Sequence, residues 1–504
     1  MRFVQNVPFF CIMLSMFSGT VSSVLPGKWA RRINAGMLMA VSGLSAWLLQ
    51  YLMASGVGSY IYMMGHFPAP WGNELRIGVL EAGMALFFSV IMLLSILGGR
   101  KKLDGEVEKT KHNIYYILCN LLLSSLLALV YTNDLFTAYV FVEINTIAAC
   151  GLIMIRQNGR CIEAAVRYMI MSLLGSGLLL LGICMLYDMT GHLLMENIRQ
   201  QVTAIMAAGT YRIPMLITIG IITVGLAIKS ALFPFHSWVP DAYGYATVSS
   251  GAILSSLVSK GYIFLLFKIF YRVIGFDFIA RSHILGLLFL FGLCGMIFGS
   301  VSAIWEKDIR RMIAFSSVAQ IGYIYMGLGL GTEAGVVAAV FHMLAHGATK
   351  SLLFVSAIGL TDVSGGSRSF FELTGSGYRN KVAGVGFLVA SLAMVGIPMF
   401  SGFVSKLLFA EAAVLVSNWK LLPTLIVLAI STVLNAIYFL KTVVRIYTPV
   451  SKKELLEKGY FSLTFPQQKL YCATIFLFVL VNLILGMNSQ PIIALIAEGL
   501  HHFA

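Results

Sequence analysis

Charge is scarce in this sequence. Only 11% of its 504 residues are Asp, Glu, Lys or Arg, against 59% hydrophobic residues. A soluble fold of that length needs a far more polar surface, so the composition excludes a soluble globular protein and indicates a polytopic membrane chain. Organised cysteine is missing as well. Cys11, Cys119, Cys150, Cys161, Cys184, Cys294 and Cys472 are scattered, without a Cys-x-x-Cys pair, which removes iron–sulfur ligation and a disulfide framework from consideration. Neither a Walker A loop nor a dinucleotide fingerprint occurs. The expectation is a chain with no cofactor, no metal and no redox centre of its own. Long polar stretches are also lacking. The longest, 54–76, 188–212, 361–381 and 447–468, cannot build a separate domain, so residues 1–504 read as a single membrane domain.

What is present is a succession of apolar runs of membrane-crossing length. They fall near 7–24, 34–53, 77–97, 113–131, 135–155, 166–187, 213–235, 247–271, 284–304, 311–330, 334–360, 383–415, 421–446 and 470–500. This predicts an all-α fold of about fourteen spans. The net charge of +14 invites a nucleic-acid reading, but its placement argues against one. With the first residue placed outside, alternate loops hold 22 Lys and Arg on one side and 7 on the other, and six lysines fall inside spans. That bias is the positive-inside signature of an inner (cytoplasmic) membrane protein with both termini extracytoplasmic. Residues 1–24 read as a first span rather than a cleaved signal, because Lys28, Arg31 and Arg32 follow directly.

Two spans carry proline in corresponding places. The seventh runs from Lys229 through Phe233-Pro234-Phe235-His236 to Pro240, and the twelfth from Gly396-Ile397-Pro398 to Lys406. Proline removes a backbone donor and clashes with the preceding turn, so each helix should break there. Broken backbone at membrane depth must be buried in protein or line a wet cavity. The breaks lie five spans apart, and an odd number of helices inverts orientation. Residues 113–273 (spans 4–8) and 284–446 (spans 9–13) are therefore expected to be inverted repeats. Two ordinary proline kinks are the plainer explanation.

The six intramembrane lysines are Lys229, Lys260, Lys268, Lys350, Lys406 and Lys441. A charge at the bilayer centre costs about 2.5–3.5 kcal/mol on insertion scales, so such groups are paired, hydrated or functional. Glu143, in the middle of the fifth span, is the expected partner of Lys229. Lys260 lies more than ten residues from either end of its run, too deep to snorkel. Lys268 and Lys441 are expected to snorkel, Glu81 to sit at the interface, and Glu411 to pair with Lys406 or reach the surface. Asp308 is expected to pair with Arg310 and Arg311 at a helix start. His342, His346 and Lys350 recur every fourth residue on the eleventh span. The line suits a proton relay, because imidazole accepts on one nitrogen and donates from the other. Satisfied structural histidines and a His-x-x-x-His metal site are the alternatives; the second lacks an evident third ligand.

The run Lys229…Phe233-Pro234-Phe235-His236-Ser237-Trp238-Val239-Pro240-Asp241-Ala242 resembles the seventh-helix signature of the antiporter-like subunits of respiratory complex I, Mrp-type cation/proton antiporters and energy-converting membrane-bound hydrogenases. Asp308 to Ser317, Phe341 to Phe354 and Gly396 to Lys406 resemble the same family, and the likeness covers about residues 65–445. Pro68-Ala69-Pro70-Trp71-Gly72 and Tyr131 to Phe136 are most similar to the Mrp D-type and hydrogenase versions. The stretch Asn73 to Glu81 departs from the family's aspartate–arginine pattern, and the long lateral helix of the largest paralogues is not expected. The resemblance implies fourteen helices with two five-helix inverted repeats. It also implies a Glu143–Lys229 pair, a central axis through Lys260, His342, His346 and Lys350, and a terminal Lys406, with His236, Asp241 and Glu411 secondary. It further implies a proton-translocating, or Na⁺/H⁺-antiporting, subunit beside paralogous membrane subunits and a redox module. A self-sufficient carrier of an organic solute and a non-conducting structural subunit are the rival readings.

Overall fold

The computed structural model describes residues 2–67, 72–416, 419–451 and 460–503. Pro68 to Trp71 and the basic residues Lys452, Lys453 and Lys458 lie outside them. The chain is a helical membrane bundle. Its main helices are α1 (Val7–Val24), α2 (Gly27–Ser55), α3 (Val79–Glu106), α4 (His112–Tyr131), α5 (Leu135–Met154), α6 (Gly159–Thr190), α7 (Arg212–Ser230) and α8 (Val248–Ile274). There follow α9 (Ile284–Trp305), α10 (Ile309–Gly329), α11 (Glu333–Asp362), α12 (Lys381–Val395), α13 (Ser401–Val416), α14 (Leu421–Ile446), α15 (Lys469–Met487) and α16 (Gln490–His501). Thirteen helices among the described residues are long and apolar enough to cross a membrane. The twelfth run supplies α12 and α13 as two shorter pieces.

Short polar side chains start several of these helices by accepting from otherwise unpaired backbone N–H groups. Asp134 caps α5 through Thr137 N at 2.6 Å, Asn158 caps α6 through Cys161 N at 2.9 Å, and Asp308 caps α10 through Arg310 N at 2.8 Å and Arg311 N at 3.2 Å. Thr332 and Asn380 do the same for α11 and α12. Helix α8 is wholly enclosed, and α10 and α11 are nearly so, while α2, α14 and α15 turn most of their surface outward. Glycine sets the closest approaches. A Cβ on Gly175 of α6 would stand 2.8 Å from the Gly225 carbonyl of α7.

Several boundaries differ from expectation. Helix α7 stops at Ser230 rather than running to 235, because Ala231 turns left-handed (φ 66°) and Pro234 cannot continue the ladder. The 383–415 run divides at Gly396 (φ 88°) and Met399 (φ 80°). The 470–500 run ends at Met487, and α16 restarts with Pro491 in its first turn. The segment 54–76 forms a small antiparallel hairpin, β1 (Ser59–Met63) with β2 (Glu74–Gly78), and 188–212 carries the helix Met195–Ala208.

Val4, Gln5 and Phe503 pack near the hairpin and the end of α8. The Tyr60 hydroxyl reaches the Val4 and Gln5 carbonyls at 3.5 Å, and the Phe503 carbonyl accepts from Arg272 Nε at 2.7 Å. Arg272 also pairs with Glu81, both with side chains 1% exposed, and lies 4.4 Å from the Phe503 ring centre. Three expectations are corrected. Glu81 is enclosed rather than interfacial. Lys268 does not snorkel; it is fully buried and donates to the Leu129, Val130 and Thr132 carbonyls at the end of α4. Asp308 does not pair with Arg310 and Arg311 through their guanidiniums, which bind Glu106, Glu306 and Asp241.

Breaking a buried pair strands the remaining charge, at a cost of about 3–5 kcal/mol, whereas replacing both partners by apolar residues is often near neutral. Arg272→Met should therefore destabilise the detergent-solubilised chain by about 3–5 kcal/mol, and adding Glu81→Leu should recover most of the loss. Thermal unfolding of the two variants checks this.

Candidate functional site

The last turn of α7 carries Lys229 inward. Its ammonium donates to the Thr146 hydroxyl at 2.7 Å, lies 3.9 Å from Glu143 Oε1 and stands 5.3 Å from the Tyr262 ring centre. Glu143 and Thr146 are three residues apart on α5 and so share a face. The separation from Glu143 is within ion-pair range but too long for a hydrogen bond, so the hydroxyl is the direct partner. The Lys229 side chain is fully buried, whereas that of Glu143 is 24% exposed. Glu143 is thus the outward-facing member of the pair. Beyond Tyr262, a buried polar string continues through Asn145 to Ser125, with both contacts at 2.9 Å.

Lys260 sits on α8 just past a wide turn, Leu254–Val258, with π-helical hydrogen bonding. Its ammonium donates to the Ser255 carbonyl five residues back. Lys350 of α11 is likewise held by oxygen, donating to the Ile313 carbonyl at 2.8 Å and to the Ser316 hydroxyl. One and two turns before Lys350 stand His346 and His342, with ring centres 6.0 Å apart and planes 14° from parallel. His342 Nδ1 is 3.0 Å from the Ser405 hydroxyl, and Tyr323 stacks on its face at 5.3 Å. Among the described residues, neither ring nitrogen of His346 has a hydrogen-bond partner. His346, His342, Gln320, Thr349, Ser401 and Lys406 border a small cavity of about 10 Å³, on the order of one water.

Lys406, on α13 just past the break, reaches back to it. Its ammonium donates to the Val395 carbonyl at the end of α12 at 2.6 Å and to the Thr432 hydroxyl at 2.8 Å. The break therefore exposes a carbonyl that an unbroken helix would have consumed. Gly402 permits the closeness, since a Cβ there would lie 1.8 Å from the Ala393 carbonyl. His342 and Lys406 both border the small cavity beside His346.

The remaining singled-out residues are not gathered with these. His236 is half-buried and stacks on Phe233, with ring centres 5.5 Å apart. Asp241 ties Arg167, at 2.9 Å, to Arg311. Glu411 faces outward, and Lys406 has no carboxylate within 4 Å among the described residues. Pro234 and Pro398 both lie exposed at the helix breaks. No third His, Cys, Asp or Glu joins His342 and His346 in a metal-holding cluster among the described residues. Sequence reasoning missed Thr146, Tyr262, Ser405 and Thr432, which are ordinary residues in apolar helices. Only Thr146 had a readable signal, its spacing from Glu143.

Residues 132–434 match the family model described as NADH:quinone oxidoreductase/Mrp antiporter, TM, and the chain belongs to that family. It is 31% identical over 448 residues to NADH-quinone oxidoreductase subunit N of Desulforudis audaxviator, covering 88% of this chain and 86% of that one. It is 26% identical to the D-type Na(+)/H(+) antiporter subunit of Alkalihalophilus pseudofirmus, over 72% of this chain and 71% of the other. Two solved structures share the fold. A chain of the Mrp complex from Dietzia sp. DQ12-45-1b superposes with a TM-score of 0.86 at 22% identity, over 99% of this chain and 97% of that one. A chain of the membrane-bound sulfane sulfur reductase, an archaeal respiratory membrane complex, gives 0.85 at 24%, over 100% and 98%. The protein is an all-α, multi-pass, antiporter-like membrane subunit.

Thr146→Val should leave the Lys229 ammonium without its nearest acceptor and lower stability by about 1–3 kcal/mol. The same change in a Glu143→Gln background should not add independently, because the two groups serve one ammonium. Thermal melts of the single and double variants measure the coupling.

Proposed function

We propose that this chain translocates protons, with Na⁺/H⁺ antiport as the variant of the same reading, as one subunit of a larger membrane complex. The observation that carries it is the interior line of Lys229, Lys260, His346, His342 and Lys406. Lys229, Lys260, His346 and His342 are buried and Lys406 is half-buried, and among the described residues no lysine of the line is held by a carboxylate hydrogen bond. Oxygen partners that are neutral stabilise an ammonium without pinning it charged, which favours a group that can release its proton. Charge on one station disfavours charge on the next, so a proton arriving at Lys260 pushes another along the histidines.

In this mechanism the Glu143–Lys229 pair is the switch. When the carboxylate and the ammonium close together, the proton is held on Lys229; when they part, it passes toward Lys260. His346 passes the proton across the small cavity to His342, and Lys406 delivers it beyond the second break. Lys350, bonded near the start of α10, links the line to the basic end of the bundle. Residues 113–273 and 284–446 act as the two inverted repeats that bring the broken helices to equivalent depth. The basic end is cytoplasmic, which puts both termini outside. The names of the relatives support paralogous membrane subunits and a redox or antiporter module as partners.

Lys229→Ala should abolish coupled ion transport in proteoliposomes while the assembly still purifies intact. Lys406→Met should do the same without disturbing the Glu143 environment. Transport at the unmodified rate in either variant would overturn the mechanism, and flux of an organic solute through the isolated chain would favour the carrier reading.

A further inference from the structure

A second charged feature lies outside the residues matched by the family and outside the proton line. At the basic end, α2, α3 and α4 enclose a cleft of about 310 Å³ lined by Arg31, Arg32, Arg100, Leu97 and Tyr116, with Ala35 and Ile96 completing its wall. Arg31 is 3.6 Å from Asp104, which in turn lies 3.7 Å from His112 Nδ1. Arg32 rests 4.9 Å from the ring centre of Trp29, which is more than half exposed. Among the described residues, Arg32 and Arg100 have no carboxylate within 4 Å and no hydrogen-bond partner. Three guanidiniums thus face one carboxylate, and two of them keep their donor forks free.

The cleft is two-sided in chemistry. Its rim offers planar donors matched to phosphate oxygens. Its wall is aliphatic and runs on along α2, where Met39, one turn above Ala35, is exposed. A small soluble anion would use the rim and waste the wall. An amphiphile with a phosphodiester and an acyl chain uses both, and Trp29 supplies the ring that favours the headgroup level of a bilayer.

We propose that this cleft binds an anionic glycerophospholipid, its phosphate on Arg32 and Arg100 and an acyl chain along Ala35 and Met39. Each basic residue at a membrane surface strengthens the attraction of anionic lipid. Losing two should weaken binding by about tenfold or more.

The test uses the full-length chain in its purified assembly, delipidated and titrated with phosphatidylglycerol while native mass spectrometry counts bound lipid. Phosphatidylglycerol should bind, phosphatidylcholine should bind far less, and Arg32→Gln/Arg100→Gln should lose about tenfold in affinity with proton transport unchanged. A control that removes two exposed charges elsewhere, Lys109→Gln/Lys381→Gln, should bind like the parent. The proposal is overturned if the control loses as much lipid as the arginine variant. It is also overturned if the arginine variant binds normally, or if inorganic phosphate displaces the lipid at comparable concentration, which would mark a site for free anions.

Discussion

Burying an ammonium group in hydrocarbon is the constraint on which the rest of this structure depends. Four lysines are buried along or beside the inner helices, and each is answered by oxygen. Lys268 takes the spent carbonyls at the end of α4, Lys260 a carbonyl of a widened turn, Lys350 a carbonyl and a hydroxyl of α10, and Lys229 a threonine. A helix end and an irregular turn serve as solvent for Lys268 and Lys260, while Lys229 uses a hydroxyl and Lys350 a hydroxyl and the second lone pair of a helical carbonyl. Irregular backbone can lie this deep because protein encloses it.

The two breaks differ in how they serve their lysines. Before the first break, Lys229 turns sideways to a neighbouring helix. After the second, Lys406 folds back to the broken end itself. One group is adjustable by a carboxylate on its flank, and the other is held by fixed dipoles. In the proposed mechanism these two environments suit a switch and a terminal station, because only the first would have to respond to something outside the chain.

Much of the framework was legible in the sequence because apolar run length is a direct imprint of bilayer thickness. The broken helices were legible because Pro234 and Pro398 each remove a donor whatever surrounds them. The lysines stood out because charged residues are rare in their runs. The partners did not. Ser405 and Thr432 are common residues whose roles arise from packing between helices far apart in sequence. The Glu81–Arg272 pair joins positions 191 residues apart, and no local pattern announces it. Lys268 misled for the same reason. Its nearness to Tyr271 and Arg272 suggested a route to the surface, while the covering α4 carbonyls come from 136 or more residues earlier. The 54–76 hairpin was hidden by its lack of clean alternation.

Helix α8 touches no lipid, because every residue of its apolar window is enclosed by protein. It nevertheless carries Lys260, Lys268 and Arg272, and it precedes α10, α11 and α16 in the chain. During synthesis this helix follows α3, α4, α5 and α7, which supply most of its neighbours, and precedes α11, which covers the rest. Its three cations find partners already made, Lys260 on Ser255 of the same helix, Lys268 on the carbonyls at the end of α4 and Arg272 on Glu81 of α3. Charge at the centre of the molecule can thus be answered in chain order, with α11 and Phe503 closing over it afterwards.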